Sequence, residues 1–184
     1  MCKTIHETWP LATDFSRYAY GFPSITFPQL IATIPGVNCR FFDGIVEPVR
    51  MTGYKELISG QDIIVLSLQS AKVALNTEIT VRLIKHLNPE ARIIMGGQHA
   101  TFYFKEWVER GVDFVIRGEG ERTFPELIDT MLGGGDLGKV QGLVYRDGSE
   151  IVVNPEREFI GNLDNTPIPD WTSVDLRRYP SDAA

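Results

Sequence analysis

Small polar residues and glycines follow three consecutive predicted β-strands, at the points where the strands end. The candidate binding residues are Ser67, Gln69 and Ser70 after one strand, Gly96, Gly97, Gln98 and His99 after the next, and Arg117, Gly118 and Glu119 after the third. Hydroxyl and amide groups bind polar ligands, and paired glycines let a ligand approach the backbone, although they also form plain tight turns. In open doubly wound sheets, ligands bind beyond the carboxyl ends of the strands. We therefore expect these residues to form one ligand-binding site.

The histidines and cysteines do not have the spacing of a metal site. His6, His86 and His99 include no pair four residues apart on one helix, and Cys2 and Cys39 form no CxxC pair. An iron–sulfur cluster needs more cysteine ligands than these. We therefore predict no metal ligand and no catalytic residue in this sequence. His99 is either a ligand contact or a structural side chain that fixes its loop.

The loop from Arg117 to Glu121 has two glycines in the G-x-G order of a dinucleotide-binding loop. It lacks the third glycine, it follows the fifth strand, and its two carboxylates, Glu119 and Glu121, would repel a pyrophosphate. The sequence therefore argues against a nucleotide-dependent enzyme. The loop either lies near another ligand or is a hydrogen-bonded turn that presents the helix after it.

Alternating β-rich and amphipathic segments predict the scaffold that positions these residues. The predicted strands are Lys3–Glu7, Val37–Phe42, Asp62–Ser67, Arg92–Met95 and Asp113–Ile116. Strands that alternate with helices form βαβ units. We predict an α/β fold of the flavodoxin-like (Rossmann-like) type, with a doubly wound five-stranded parallel sheet.

Two helices can be predicted in more detail. An apolar residue every fourth position predicts one helical face packed against the sheet, formed by Leu75, Ile79, Leu83 and Leu87. Thr123 and Glu126 form a capping-box pattern that predicts the start of the last helix, and the glycines after Leu132 predict its end.

A hairpin and a linker are predicted downstream of this helix. The Asp147-Gly148 turn separates two apolar runs, Val140–Tyr145 and Glu150–Val153, and predicts a small C-terminal β-hairpin. Prolines and polar residues from Asn162 onward predict an extended linker. We divide the chain into an α/β domain over residues 1–136, a hairpin extension over 137–160 and a linker over 161–184, with a further domain expected beyond it.

Charge and composition exclude two classes of partner. The net charge of −6 and the absence of a basic cluster argue against nucleic-acid binding, because phosphate contacts need clustered lysine and arginine. The sequence has neither a signal-peptide pattern nor a continuous apolar run long enough to span a membrane. Together with the two separated cysteines, these features predict a cytoplasmic protein.

The spacing of the candidate site resembles that of flavodoxin-like cobalamin-binding domains. Those domains carry Ser-x-Leu and, after a similar interval, a glycine pair; here 26 residues separate Gln69 from Gly96, and Gln69 replaces the leucine. A more specific resemblance is to the cobalamin-dependent radical SAM family, and within it to anaerobic magnesium-protoporphyrin IX monomethyl ester oxidative cyclases. It is carried by Met95–Phe102, Val112–Glu121 and Thr123–Leu127, and it continues through Gly142–Arg146 to Arg178 and Tyr179.

This resemblance implies that the domain holds cobalamin, with its nucleotide tail against Ser67, Gln69, Gly96 and Gly97. It also implies a radical SAM barrel in the same polypeptide, which binds S-adenosylmethionine and a 4Fe–4S cluster through a CxxxCxxC motif absent here. The domain by itself would then not be catalytic. The alternatives are a radical SAM methyltransferase module and a stand-alone flavodoxin-like ligand-binding domain.

If the domain holds cobalamin, a missing sequence motif predicts a base-off cofactor without a histidine ligand to cobalt. Many cobalamin domains of this fold supply that histidine from a D-x-H-x-x-G motif, which here would fall on Tyr20–Ile25. Tyr20, Phe22 and Ile25 stand where the motif has Asp, His and Gly. We expect water or an apolar side chain, such as Tyr20 or Phe22, beneath the metal.

Overall fold

The computed structural model describes residues 2–6, 24–43 and 51–179. Its strands are β1 (Cys2–His6), β2 (Cys39–Asp43), β3 (Ile63–Ser67), β4 (Arg92–Gly96), β5 (Phe114–Ile116), β6 (Leu143–Asp147) and β7 (Glu150–Val153). Its α-helices are α1 (Thr26–Ala32), α2 (Met51–Ile58), α3 (Ala74–Leu87), α4 (Gln98–Phe102), α5 (Phe104–Glu109) and α6 (Gly120–Gly133). Five short 3₁₀ turns complete the described elements: Ala71–Val73, Leu137–Lys139, Leu163–Asn165, Trp171–Ser173 and Leu176–Arg178.

All seven strands form one sheet in the order β2-β1-β3-β4-β5-β6-β7. The first five strands are parallel, and β6 and β7 continue the sheet as antiparallel neighbours of β5. The order 2-1-3-4-5 is that of flavodoxin-like doubly wound folds, so the predicted fold class is confirmed. The predicted hairpin is present and lies on the edge of the same sheet.

The central strands are continuous apolar runs because both faces of the sheet are covered. Ile63 to Leu66 in β3 are all buried, as are Ile93 to Met95 in β4. Successive side chains point to opposite faces, so Ile64 and Leu66 join one core while Ile63 and Val65 join the other. Helices α2, α3 and α5 cover the first core, and α1 and α6 cover the second.

The predicted sheet-facing side of α3 is correct for Leu83 and Leu87, which are partly buried against the first core, but wrong for Leu75 and Ile79. Leu75 and Ile79 are 69% and 41% exposed, whereas Val81 and Ile84 are fully buried together with Thr77 and Thr80. A four-residue repeat drifts by about 40° per step around a helix of 3.6 residues per turn, so it does not stay on one face. The two threonines tolerate burial because each donates its hydroxyl to the carbonyl four residues earlier, at 2.9 Å and 3.0 Å.

The last helix is present, but it begins at Gly120 and not at the predicted Thr123. Thr123 is fully buried inside the helix, and its hydroxyl donates to the Gln141 carbonyl at 3.1 Å. Glu126 pairs with Arg157 instead of capping the helix. The helix ends at Gly133, followed by Gly134 in the left-handed conformation that the glycine run favours.

The extended segment after the hairpin lies against α1. The Gln29 side-chain amide donates to the Pro167 carbonyl at 2.6 Å, and the Asp170 backbone amide donates to the Pro28 carbonyl at 2.9 Å. Val174 and Tyr179 are only 8% exposed and belong to the second core. Among the described helices, none is long and apolar enough to cross a membrane.

The observed register of α3 can be tested with two alanine substitutions on the same helix. Ile84→Ala should lower the free energy of unfolding by about 2–5 kcal/mol, because it leaves a cavity in the first core. Leu75→Ala should change it by less than about 0.5 kcal/mol, since that side chain is exposed. Urea denaturation followed by circular dichroism measures both, and equal losses would contradict the observed helix orientation.

Candidate ligand-binding site

A cavity of about 530 Å³ opens at the carboxyl ends of β3, β4 and β5. Helices α1 and α6, which cover the second core, form its side walls through Phe27, Leu30 and Phe124. Ligand-sized cavities commonly have volumes of roughly 300–1,000 Å³. The position is the one that this fold class uses for ligands.

The cavity exists because the side chains on one face of the sheet become small at its carboxyl edge. On the second-core face, Val65 of β3 is followed two residues later by Ser67, and Ile94 of β4 is followed by Gly96. Ser67 and Gly96 are also direct partners in the parallel ladder. The apolar layer between sheet and helices therefore ends at this pair, and open space replaces it.

Gln69 connects the ends of β3 and β4. Its side-chain nitrogen donates to the Ser67 hydroxyl at 2.9 Å, and its side-chain oxygen accepts from the Gln98 backbone amide at 3.3 Å. All three residues line the cavity. Gln69 thus holds two loops in register and leaves the Ser67 oxygen free to accept a further bond.

The two glycines have different structural roles. A β-carbon added at Gly96 would have no heavy atom within 4 Å, so this position faces open space. Gly97 has φ +100°, and a β-carbon there would lie 2.5 Å from the Leu68 carbonyl oxygen. Gly96 therefore keeps the cavity open, while Gly97 allows the backbone to pass close to Leu68.

Seven of the ten predicted site residues line the cavity: Ser67, Gln69, Gly96, Gly97, Gln98, Gly118 and Glu119. Ser70, His99 and Arg117 are not among its lining residues. The His99 Nδ1 atom accepts from the Trp107 indole at 3.4 Å, and its ring stacks on Tyr103 with centroids 4.5 Å apart. These contacts support the structural alternative for His99.

The loop after β5 is fixed from both sides. The Gly118 amide donates to the Thr101 hydroxyl at 3.1 Å, and that hydroxyl donates to the Gly97 carbonyl at 3.0 Å. On its other side, the Glu119 carboxylate accepts from the Ile160 amide at 2.6 Å. The loop therefore forms a rigid third side of the cavity mouth.

Several lining residues were not predicted from the sequence. They are mostly apolar and lie on helices or on the segment after β7: Thr26, Phe27, Leu30, Thr101, Phe102, Phe124 and Phe159. The strand residues could be predicted because the continuous apolar run of β3 ends in Ser67 and that of β4 ends in Gly96. Among the described residues, no three His, Cys, Asp or Glu side chains are grouped as a metal site.

An open, doubly wound sheet with a ligand-sized apolar cavity at its carboxyl edge defines a flavodoxin-like ligand-binding domain. Residues 55–128 match the model of the B12 binding domain family, and this stretch includes α3, β3, β4, β5 and the loops that line the cavity. Residues 55–128 are therefore a match to the B12-binding domain family, which agrees with the sequence resemblance.

The relatives of this chain are larger enzymes. An uncharacterized methyltransferase from Pyrococcus horikoshii is 30% identical over 148 residues, which are 79% of this chain and 32% of the relative. An anaerobic magnesium-protoporphyrin IX monomethyl ester cyclase from Synechocystis sp. is 34% identical over 93 residues, which are 50% of this chain and 18% of the relative. This chain thus spans a third or less of the length of these two relatives.

A solved structure has the same fold over nearly all of this chain. The cobalamin-dependent S-adenosylmethionine radical enzyme OxsB, with aqua-cobalamin and S-adenosylmethionine bound, superimposes with a TM-score of 0.69. The identity is 22%, and the match covers 93% of this chain and 24% of OxsB. A domain with this fold is thus part of the larger OxsB chain.

The different roles of the two glycines can be tested by measuring stability. Gly97→Ala should lower the free energy of unfolding by at least about 2 kcal/mol, because alanine is strained at positive φ and its β-carbon would overlap the Leu68 backbone. Gly96→Ala is the matched control and should cost less than about 1 kcal/mol. Chemical denaturation of the two variants provides the comparison. Equal stability would show that the backbone approach at Gly97 is looser than described.

Proposed function

We propose that this domain binds cobalamin, with the nucleotide tail of the cofactor in the cavity at the carboxyl edge of the sheet. The observation that carries the proposal is the open space in front of Gly96, between Ser67 and the Gly118 loop, in a domain that matches the B12-binding family. A single β-carbon at Gly96 would enter this space.

The residues around the cavity fit such a group. The apolar lining residues with accessible surface include Leu30, Ile116 and Phe102, and such a lining suits a flat aromatic base. The Ser67 hydroxyl and the Gln69 amide suit the polar sugar and phosphate that join the base to the corrin ring. A cavity of about 530 Å³ encloses a drug-sized group and not the whole cofactor, so the corrin ring would lie outside the mouth.

The site residues are therefore proposed to have three roles. Ser67, Gln69, Gly96, Gln98 and Gly118 would contact the tail, and Gly97 would shape the turn. Ser70, His99 and Arg117 would support the loops from outside the cavity.

The whole protein is proposed to be a cobalamin-dependent radical SAM enzyme. In such an enzyme the barrel of the same polypeptide would hold S-adenosylmethionine and a 4Fe–4S cluster, and cobalamin would supply methyl or electron transfer. An oxidative cyclase acting on magnesium-protoporphyrin IX monomethyl ester is supported by the Synechocystis relative. A methyltransferase is the second candidate, favoured by the longer alignment with the Pyrococcus relative.

Binding can be tested on the 184-residue chain with hydroxocobalamin and equilibrium dialysis. Gly96→Leu should weaken retention about ten-fold or more, because the new side chain occupies the space proposed for the tail. Gly133→Leu is the matched control, since Gly133 also faces open space but lies at the far end of α6. If the unsubstituted chain does not retain cobalamin, the proposed function is wrong. If Gly96→Leu binds as tightly as Gly133→Leu, the tail lies elsewhere.

We further propose that this domain gives cobalt no histidine ligand. The Nδ1 atom of His99 already accepts the Trp107 hydrogen bond and His99 does not line the cavity, while His6 lies outside the motif window Tyr20–Ile25. Of the window Tyr20–Ile25, only residues 24 and 25 lie within the described part of the chain, so the proposed cover by Tyr20 or Phe22 falls outside it.

Electron paramagnetic resonance of the Co(II) form tests this second proposal. The expected spectrum is base-off, without nitrogen superhyperfine splitting, in the unsubstituted chain, His6→Ala and His99→Ala. Splitting that disappears in one variant would identify that histidine as a ligand. Splitting that persists in both variants would indicate the cofactor's own base, and either result would contradict a base-off site without histidine.

A further inference from the structure

Residues 154–160, which we call the strap, run from the end of β7 past the loop that follows β5. The strap begins at Asn154, whose carbonyl accepts from the Arg117 guanidinium at 2.6 Å. Arg157 of the strap donates from Nε to the Thr123 hydroxyl at 2.8 Å, and it pairs with Glu126. At the far end, the Ile160 amide donates to the Glu119 carboxylate at 2.6 Å. The strap is thus fastened at its beginning, middle and end.

These fastenings hold the strap firmly because both arginines involved are poorly exposed. The Arg117 and Arg157 side chains are only 11% and 12% exposed. Removing the hydrogen-bond acceptors of either arginine would leave its guanidinium without compensation in a poorly solvated position, which is costly. A hydrogen bond to a carboxylate is also stronger than one between neutral groups. The strap therefore has a defined path along the cavity mouth.

Phe159 lies on the strap immediately before the residue that Glu119 holds. Its side chain is 79% exposed, yet it lines the cavity, as does the 72% exposed side chain of Phe102 at the end of α4. An aromatic ring this exposed contributes little to the core. Exposed apolar side chains gathered at the mouth of a cavity are typical of a surface that a ligand covers.

We propose that Phe159 is a cobalamin-contacting residue that packs against the part of the cofactor outside the cavity. Glu119 is then a positioning residue: it holds Phe159 at the mouth by accepting the Ile160 amide hydrogen bond, and it does not itself bind the cofactor. This inference rests on the proposed function. Leu163, which is 67% exposed but does not line the cavity, has no such role.

The first experiment compares two alanine substitutions at exposed apolar positions in the 184-residue chain. Phe159→Ala should weaken hydroxocobalamin binding about ten-fold, because the ligand then loses an aromatic contact. Leu163→Ala should bind as the unsubstituted chain does. The dissociation constant is measured by equilibrium dialysis, and unchanged thermal unfolding verifies that both variants fold.

The second experiment tests whether Glu119 acts through Phe159. Glu119→Ala should weaken binding, whereas Glu119→Gln should retain it within about two-fold, because the glutamine oxygen still accepts the Ile160 amide. In a double-mutant cycle, Glu119→Ala should have little further effect once Phe159 is alanine. Hydrogen exchange at the Ile160 amide should be faster in Glu119→Ala and slower when cobalamin is added to the unsubstituted chain.

The possible results separate this inference from the proposed function. If the unsubstituted chain does not bind cobalamin, both are overturned. If it binds and Phe159→Ala binds equally well, only the contact at Phe159 is overturned. Additive effects of Glu119→Ala and Phe159→Ala, or equal losses in Glu119→Gln and Glu119→Ala, would show that Glu119 acts on the cofactor directly and would overturn its positioning role.

Discussion

The ends of β3 and β4 are joined by backbone contacts that leave no room for a side chain at position 97. The Leu68 amide donates to the Gly96 carbonyl at 2.8 Å, and the Leu68 carbonyl accepts from the His99 amide at 3.1 Å. Gly97 lies between these two hydrogen bonds at a positive φ that glycine adopts without strain. This contact sets the direction in which α4 leaves the sheet. It also brings the Gln98 amide to Gln69, so the geometry of the cavity mouth depends on it.

The cavity and the fold are built by the same alternation of side chains. Each central strand contributes to a core on both faces, which gives the sheet its stability through burial on two sides. On the face covered by α1 and α6, the layer of large side chains stops at Ser67 and Gly96 while the covering helices continue. Phe27 and Phe124 are fully buried beside this gap. The packed core and the open cavity can therefore lie in the same layer. On each strand, the next residue on that face after the last large side chain is already small: Ser67 follows Val65, and Gly96 follows Ile94.

The sequence was sufficient for features that depend on local composition. Apolar runs predicted the five parallel strands to within two residues at each end, and the glycine pair after β4 lines the cavity. The orientation of α3 could not be read from its leucines, because buried threonines are recognised only when their hydroxyls are known to bond to the preceding turn. The start of α6 was displaced for a similar reason. Threonine is a common capping residue, but the Thr123 hydroxyl bonds to the carbonyl of Gln141, which is distant in sequence. The hydrogen bond between Glu119 and the Ile160 amide also joins residues distant in sequence, so neither contact could be predicted from local patterns.

The antiparallel hairpin also covers a backbone edge of the parallel sheet. In β5, all three residues are buried, and its outer edge is paired with β6. Without the hairpin, that edge would present unsatisfied backbone groups along an apolar strand, a template onto which a strand of another molecule could add. The exposed edge is instead β7, which has only four residues and begins with the exposed Glu150. A shorter domain that ended at residue 136 would keep all five parallel strands, but the outer edge of β5 would be unpaired and could pair with a strand of another molecule.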